Sequence, residues 1–454
     1  MQKHSRSMIQ GPLLPSIISY TIPLILTGLL QLTFNAADLV IVGRFCGSVS
    51  VAAVGATGSI TNLVINLFIG FSVGAGVTVA HGMGAREEEA VHRTVHTAFP
   101  TALVGGGILT VIGVIFAEDL LTMMGTPESV LPLSTIYMQI YFGGMVFNMV
   151  YNFMASILRA VGDTKSPLIF LTIAGVVNVG LNVVFVTMLH MNVAGVALAT
   201  TVSQAISAVL VTVTLMRRKD ASRLFLGKLR FYKVQLLKII RIGLPAGLQS
   251  SLFAISNVMI QSSINSFGEV VMSGNAAAAN LEGFVYVALN SFSQTTVNFV
   301  GQNVGARQYG RVKKTLYLCL ASVMVLGLTS SILMYAFAPQ LLSIYITDSA
   351  EAIASGVMRM SIVCVTYCLC GLMDTSTGAL RGMGASMTPM IISVLGVCGI
   401  RLGWIFTVFQ IPRVHTPWWL YMSYPFSWLV TFACQFFAFQ KLYRKRLQML
   451  QINP

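Results

Sequence analysis

Charge is what this chain lacks. Only 9% of its 454 residues are Asp, Glu, Lys or Arg, and only 14 of them are acidic. Soluble domains carry about 25% charged residues, because a folded surface must meet water. So thin a polar skin cannot cover a 49.0 kDa globule. That excludes a soluble enzyme, and a disordered or fibrous chain as well. Cysteine is scarce too: seven residues, mostly within apolar runs, without the spacing of a disulfide framework or a zinc site. No G-x-x-x-x-G-K-[ST] loop occurs, which argues against an ATP-driven pump, and no nucleophile constellation supports catalysis. What the chain has instead is 55% hydrophobic residues and a mean hydropathy of +0.78. Its solvent is lipid.

A helix crosses the hydrocarbon core with roughly 20 apolar residues. At about 15 further residues per connection, the chain holds around twelve crossings. Continuous apolar runs such as PLILTGLLQLTF (23–34) and ASVMVLGLTSSILMYAF (321–337) suit helices, not the alternating strands of a membrane barrel. The spans expected are 15–37, 53–80, 97–117, 135–158, 167–189, 195–216, 241–265, 276–300, 316–337, 354–379, 388–408 and 418–440. All but four of the 28 basic residues fall in alternate loops and the two termini, the exceptions being Arg44, Arg359, Arg401 and Arg413. By the positive-inside rule both termini are cytoplasmic, as expected of an inner-membrane, multi-pass protein. The net charge of +14 thus reflects topology and calls for no nucleic-acid partner. The polar start MQKHSRSMIQG leads into a span-length segment, so no cleaved leader is expected.

The longest basic stretch, 217–241, falls at the midpoint. Its interleaved aromatic and leucine residues suit an amphipathic connector along the inner leaflet, although a plain solvated linker fits as well. It separates an N-terminal six-helix bundle (1–216) from a C-terminal one (241–454), with 217–240 as linker. The two halves repeat each other. GAREEEAVHRTV (84–95) returns as GARQYGRVKKTL (305–316), LRAVGDTKSPLI (158–169) as LRGMGASMTPMI (380–391), and Pro23 as Pro245. With an even number of crossings per half, the repeats run parallel about an axis along the membrane normal, an architecture of transporters. The expected fold is all-α, with about twelve transmembrane helices in two parallel six-helix repeats. Two such bundles in one chain make a monomer sufficient.

A carboxylate at mid-bilayer costs roughly 2.5–3.5 kcal/mol, so a deep acid is a functional candidate. Three acids lie deep: Asp38, Glu282 and Asp374. The internal repeat maps them onto Ile260, Thr61 and Asn152. None is mirrored, so the duplicated scaffold does not require them. Asn178 and Asn182, four apart, share one helix face, and Arg401 is placed to neutralise one of the C-terminal acids. The histidines show no metal-binding spacing.

The paired GAR and LR-x-x-G…P loops, with the runs NAADLVIVGR (35–44), NAAAANLEGFVYVALNSFSQ (275–294) and GLMDTSTGALRGMG (371–384), resemble those of the multidrug and toxic compound extrusion (MATE) family. The resemblance covers essentially the whole chain. It implies secondary multidrug efflux of lipophilic cationic compounds around a central cleft, by antiport against H+ or Na+ and without a cofactor. It also implies an N-terminal cation site at Asp38, with Asn178 and Asn182 beside it. Many relatives carry an acid where Asn182 stands, which favours proton exchange over a multi-carboxylate Na+ cage. Glu282 and Asp374 are the C-terminal coupling candidates. Tyr137, Tyr141, Tyr151, Gln249, Asn280, Phe284, Tyr286, Asn290 and Gln294 lie on helices that face the cleft in the family. The alternative is a lipid-linked oligosaccharide flippase of the broader superfamily, whose pyrophosphate cargo suits these acids poorly.

Overall fold

Apolar residues without strand-like alternation produce helices throughout. The computed structural model describes residues 8–347 and 349–452, so the basic residues Lys3 and Arg6 lie outside the described residues, among which there are no strands. The long helices are α1 (Leu13–Phe45), α2 (Ser48–Ala85), α3 (Glu88–Ile115), α4 (Leu131–Gly143 and Met145–Ala160), α5 (Lys165–Val183, then a π-helical turn Val184–Met188) and α6 (Asn192–Arg217). The second series is α7 (Lys233–Asn265), α8 (Glu269–Gly305), α9 (Tyr309–Ala336), α10 (Ala350–Arg359, Met360–Cys364 and Tyr367–Gly382), α11 (Met387–Ser393, Val394–Gly399 and Ile400–Phe406) and α12 (Pro417–Ile452). Eight of these are long and apolar enough to cross a membrane alone; the two bent helices α4 and α10 qualify when each is taken as one span. The other two, α8 and α12, carry more polar side chains: α8 alone presents Asn275, Asn280, Asn290, Gln294, Asn298, Gln302 and Asn303.

The duplication is visible in backbone detail. Helix α2 ends with Arg86 at φ 58° and α8 ends beside Arg307 at φ 56°. In both, the following amide closes back onto the helix: Glu87 N–H to Gly82 O at 2.9 Å, Gln308 N–H to Asn303 O at 2.8 Å. This left-handed C-terminal cap satisfies carbonyls the helix would otherwise leave bare. Gly47 and Gly268 (φ 84° and 91°), then Gly162 and Gly384 (φ 96° and 80°), repeat the correspondence at positive angles that glycine adopts without strain. The bends correspond as well, 46° in α4 at Gly144 and 41° in α10 at the break before Tyr367.

The described chain packs as two compact units, residues 22–251 and residues 8–21 with 252–452. In the first, a core of Ala75, Val79, Val95, Ala98, Met145, Met149, Phe153 and Leu158 joins α2, α3 and α4, and α5 packs on α6. In the second, α10 is the hub, packed on α8, α9 and α12. Five of the seven cysteines are buried, none of them bonded.

The connector is an irregular, packed segment. Residues 218–232 hold no long helix, and α7 starts at Lys233, earlier than hydropathy suggests. Ser222 and Leu224 are buried against the first unit. Phe225 N–H donates to His96 Nε2 at 3.0 Å, and Tyr232 N–H donates to Thr97 Oγ1 at 3.2 Å. Backbone groups of an irregular segment need partners, and the exposed-looking polar residues at the start of α3 supply them.

Candidate functional site

Each unit holds its own polar cluster within an apolar surround. In the first, Asp38 on α1 meets Asn182 on α5, whose amide donates to the carboxylate at 2.5 Å. The same amide donates to Asn178 Oδ1 at 3.3 Å, and Asn178 donates to Thr200 of α6 at 3.4 Å. The hydroxyl of Thr200 also lies within hydrogen-bonding reach of Asp38. Asn178 and Asn182 are buried, and Asp38 is half-buried. Their one-turn spacing on α5 aims both amides at α1 and α6, as the sequence suggests.

The cluster opens on a cavity of about 150 Å³. Asp38 is the sole ionisable carboxylate in its lining, and none of the lining residues is basic. Gln31 and Asn35 of α1, Asn148 and Asn152 of α4, and Ser203, Gln204 and Ser207 of α6 complete a wall of neutral dipoles, closed by Phe34 and Tyr151. Tyr137 and Tyr141, stacked at 6.1 Å, lie within electrostatic reach of Asp38, and Gln204 hydrogen-bonds Tyr141. A carboxylate among neutral dipoles can hold a proton or a cation. Among the described residues no Lys or Arg forms an ion pair with it. Asn182 Oδ1 is buried without a partner among the described residues, an acceptor suited to a protonated neighbour.

The second unit divides its two acids differently. Glu282 on α8 is 1% exposed and forms a two-point ion pair with Arg359 of α10, Nη2–Oε2 at 2.7 Å and Nε–Oε1 at 3.2 Å. Arg359 Nη1 donates to Asn275 Oδ1 at 2.6 Å, which also accepts from the Tyr421 hydroxyl at 3.4 Å. Sequence reasoning counts Arg359 among the loop charges and looks to Arg401 as the neutralising partner. The structure pairs Arg359 with Glu282 and leaves Arg401 without an ion pair among the described residues.

Asp374 sits apart from that pair. Its carboxylate accepts from Asn290 at 3.5 Å, and its main-chain carbonyl accepts from Ser293 Oγ at 2.6 Å. Asn290 also donates to Tyr286, and Gln294 donates to Asn290 at 3.3 Å. Tyr286, Asn290 and Gln294 therefore form a ladder at one-turn spacing along α8, whose middle member, Asn290, meets Asp374. Of the remaining expected residues, Asn280 bonds back to Ala276 of its own helix and Phe284 is exposed, while Gln249 is buried in the first unit.

Sequence reasoning missed the polar face of α6. Thr200, Ser203, Gln204 and Ser207 recur at the helical period within an apolar helix, a signal present in the sequence but carrying no charge to draw notice.

Comparison with known proteins places the fold. A protein-family profile described as MatE matches residues 23–184 and 245–406, two stretches that coincide with the internal repeat. The probable multidrug resistance protein YoeA of Bacillus subtilis is 26% identical, over 95% of this chain and 94% of its own length. An FAD transporter of Shewanella oneidensis is 24% identical, over 76% of this chain and 77% of its own. The solved structure of an outward-facing multidrug resistance MATE family transporter superposes with a TM-score of 0.90, at 19% identity and covering 97% of this chain and 98% of that one.

Proposed function

Because this chain belongs to the MatE family, a family of multi-pass membrane transporters rather than enzymes, we propose that it exports lipophilic cationic compounds by antiport, exchanging them for protons at Asp38. The observation that supports this reading is the Asp38 cavity: one carboxylate, a neutral polar lining and no resident base. Desolvation favours the protonated acid, whereas an entering cation favours the carboxylate. Proton and drug then compete for one group, and competition is coupling. Glu282, committed to Arg359, serves structure, and Asp374 is the second candidate for coupling. Sodium would need several oxygen ligands around it; Asp38 supplies one carboxylate, with amide and hydroxyl oxygens for the rest.

Moving one charge against 100 mV costs about 2.3 kcal/mol. Exporting a monovalent cation while one proton enters moves no net charge, so the pH difference alone drives a one-for-one exchange. The test is purified protein in liposomes loaded with a fluorescent cationic dye, with an imposed ΔpH in one arm and an imposed Na+ gradient in the other. Dye movement is expected under ΔpH, and Asp38→Asn is expected to abolish it while leaving the protein folded. Undiminished ΔpH-driven movement in Asp38→Asn ends the assignment; movement under ΔNa+ alone changes the coupling ion.

A further inference from the structure

Nine of residues 217–241 are Lys or Arg, and Asp220 is the one acid among them. Asp220 is occupied by Arg218, Nη2–Oδ2 at 2.6 Å. Among the described residues none of the other eight basic side chains forms an ion pair. Like charges on a loose linker spread apart; here the backbone prevents it. Leu224 N–H donates to Leu215 O at 3.1 Å, Phe225 N–H to His96 Nε2 at 3.0 Å, Arg230 N–H to His96 O at 3.4 Å and Tyr232 N–H to Thr97 Oγ1 at 3.2 Å. The segment is a strap fastened to the end of α6 and the start of α3.

Two rings on the strap then gather cations. Phe225 stacks beside His96 at 6.1 Å. The Arg223 guanidinium carbon lies 4.6 Å from its ring centre and the Lys228 ammonium 5.0 Å. Tyr232 holds Arg93 of α3 at 5.5 Å and Arg230 at 6.0 Å. Arg93 has Glu89 for a partner, and Arg223 Nε donates to Met216 O at 3.1 Å. An aromatic face orients a cation without neutralising it, so the strap concentrates positive potential on a fixed surface. Arg223, Lys228 and Arg230 are exposed. Between them, Leu226 and Phe231 are each 49% exposed.

The strap joins α6 to α7, two helices long and apolar enough to cross a membrane, so it lies at the membrane surface. By the positive-inside rule that surface is the cytoplasmic one, where anionic lipid headgroups accumulate. Basic side chains alternating with exposed apolar ones match such a surface in charge and in depth. We propose that the strap is a docking site for anionic phospholipids. Arg223, Lys228 and Arg230 hold the phosphate-bearing headgroup, and Leu226 and Phe231 enter the acyl boundary beside it. This goes beyond the export reading and does not depend on it.

The test is native mass spectrometry of the full-length protein in detergent with equal amounts of phosphatidylglycerol and phosphatidylcholine. The wild-type protein is expected to retain phosphatidylglycerol preferentially. A basic residue near an anionic surface contributes about 1 kcal/mol, about fivefold in binding. Arg223→Gln, Lys228→Gln and Arg230→Gln combined should therefore weaken phosphatidylglycerol retention by about tenfold or more. Phosphatidylcholine retention should stay unchanged, which certifies the fold. Lys441→Gln, Arg444→Gln and Lys445→Gln combined remove the same charge from exposed positions at the end of α12 and should keep the preference. A preference that survives the strap variant, or falls equally in the α12 variant, overturns the proposal. Inorganic phosphate in large excess should leave the wild-type preference intact. If it abolishes that preference, the ligand is a soluble phosphate and the lipid assignment is overturned.

Discussion

At the scale of single residues, burial decides which charges are free to act. Glu282 and Arg359 neutralise each other in a fully buried pair joined by Asn275 and Tyr421. Removing one partner strands the other, at a cost of about 3–5 kcal/mol, whereas replacing both is far milder. Arg359→Met is therefore expected to lower thermal stability sharply, and Glu282→Gln combined with Arg359→Met to recover most of it, as measured by melting in detergent. If the double variant melts as low as the single one, the pair is not the source of the stability. If it folds but loses ΔpH-driven transport, Glu282 takes part in coupling. Sequence alone singled out Asp38, Glu282 and Asp374, since each interrupts a long apolar run; in the structure Glu282 and Asp374 are buried and Asp38 is half-buried. It could not separate them, because the partner of Glu282 lies 77 positions away and local pattern carries no such contact. Arg401 illustrates the same limit: depth was legible, pairing was not.

At the scale of elements, close approach replaces side-chain packing at chosen places. A Cβ at Gly70 of α2 would collide with the backbone at Gly247 of α7, and one at Gly247 would collide with Leu67 O. Backbone cannot give way as a flexible side chain can. Gly70→Ala and Gly247→Ala should each destabilise by about 1–3 kcal/mol, whereas Gly107→Ala, which meets nothing within 4 Å, should be neutral or slightly stabilising through helix propensity. Thermal melting of the three variants measures the contrast. The connector behaves as a packed element too. Burial pushes the Asp220 carboxyl toward protonation, but hydrogen bonds from Arg218 and Ser222 more than offset this and hold it below the usual range. A lowered value stabilises the fold fully above the unfolded carboxylate pKa of about 3.9, and that contribution is lost as pH falls through the folded value. Asp220→Asn should thus flatten the acid-side decline in melting temperature. Hydropathy located most of the long helices but started α7 late and left the connector open between an amphipathic and a solvated segment. The reason is physical: polar residues such as Thr97 and His96 at a helix start look solvated in sequence, yet here they hold neighbouring backbone.

At the scale of the whole molecule, duplication supplies the scaffold and divergence supplies the chemistry. The turns at Gly47 and Gly268, the caps at Arg86 and Arg307 and the bent helices α4 and α10 were kept in both halves; of these only the caps, within the paired GAR loops, were legible as repeated sequence. The acids and Arg401 were not duplicated, so the two units differ in chemistry: a neutral-walled acid in one, a buried ion pair and a separate Asp374 in the other. In the proposed mechanism a proton and a cationic compound exclude each other at Asp38. Calorimetry of cation binding in buffers of different ionisation enthalpy, across a pH series, counts protons directly. The wild-type protein should release up to one proton per cation bound, and Asp38→Asn should release none. Binding without proton release in the wild type, or the same release from Asp38→Asn, would contradict it.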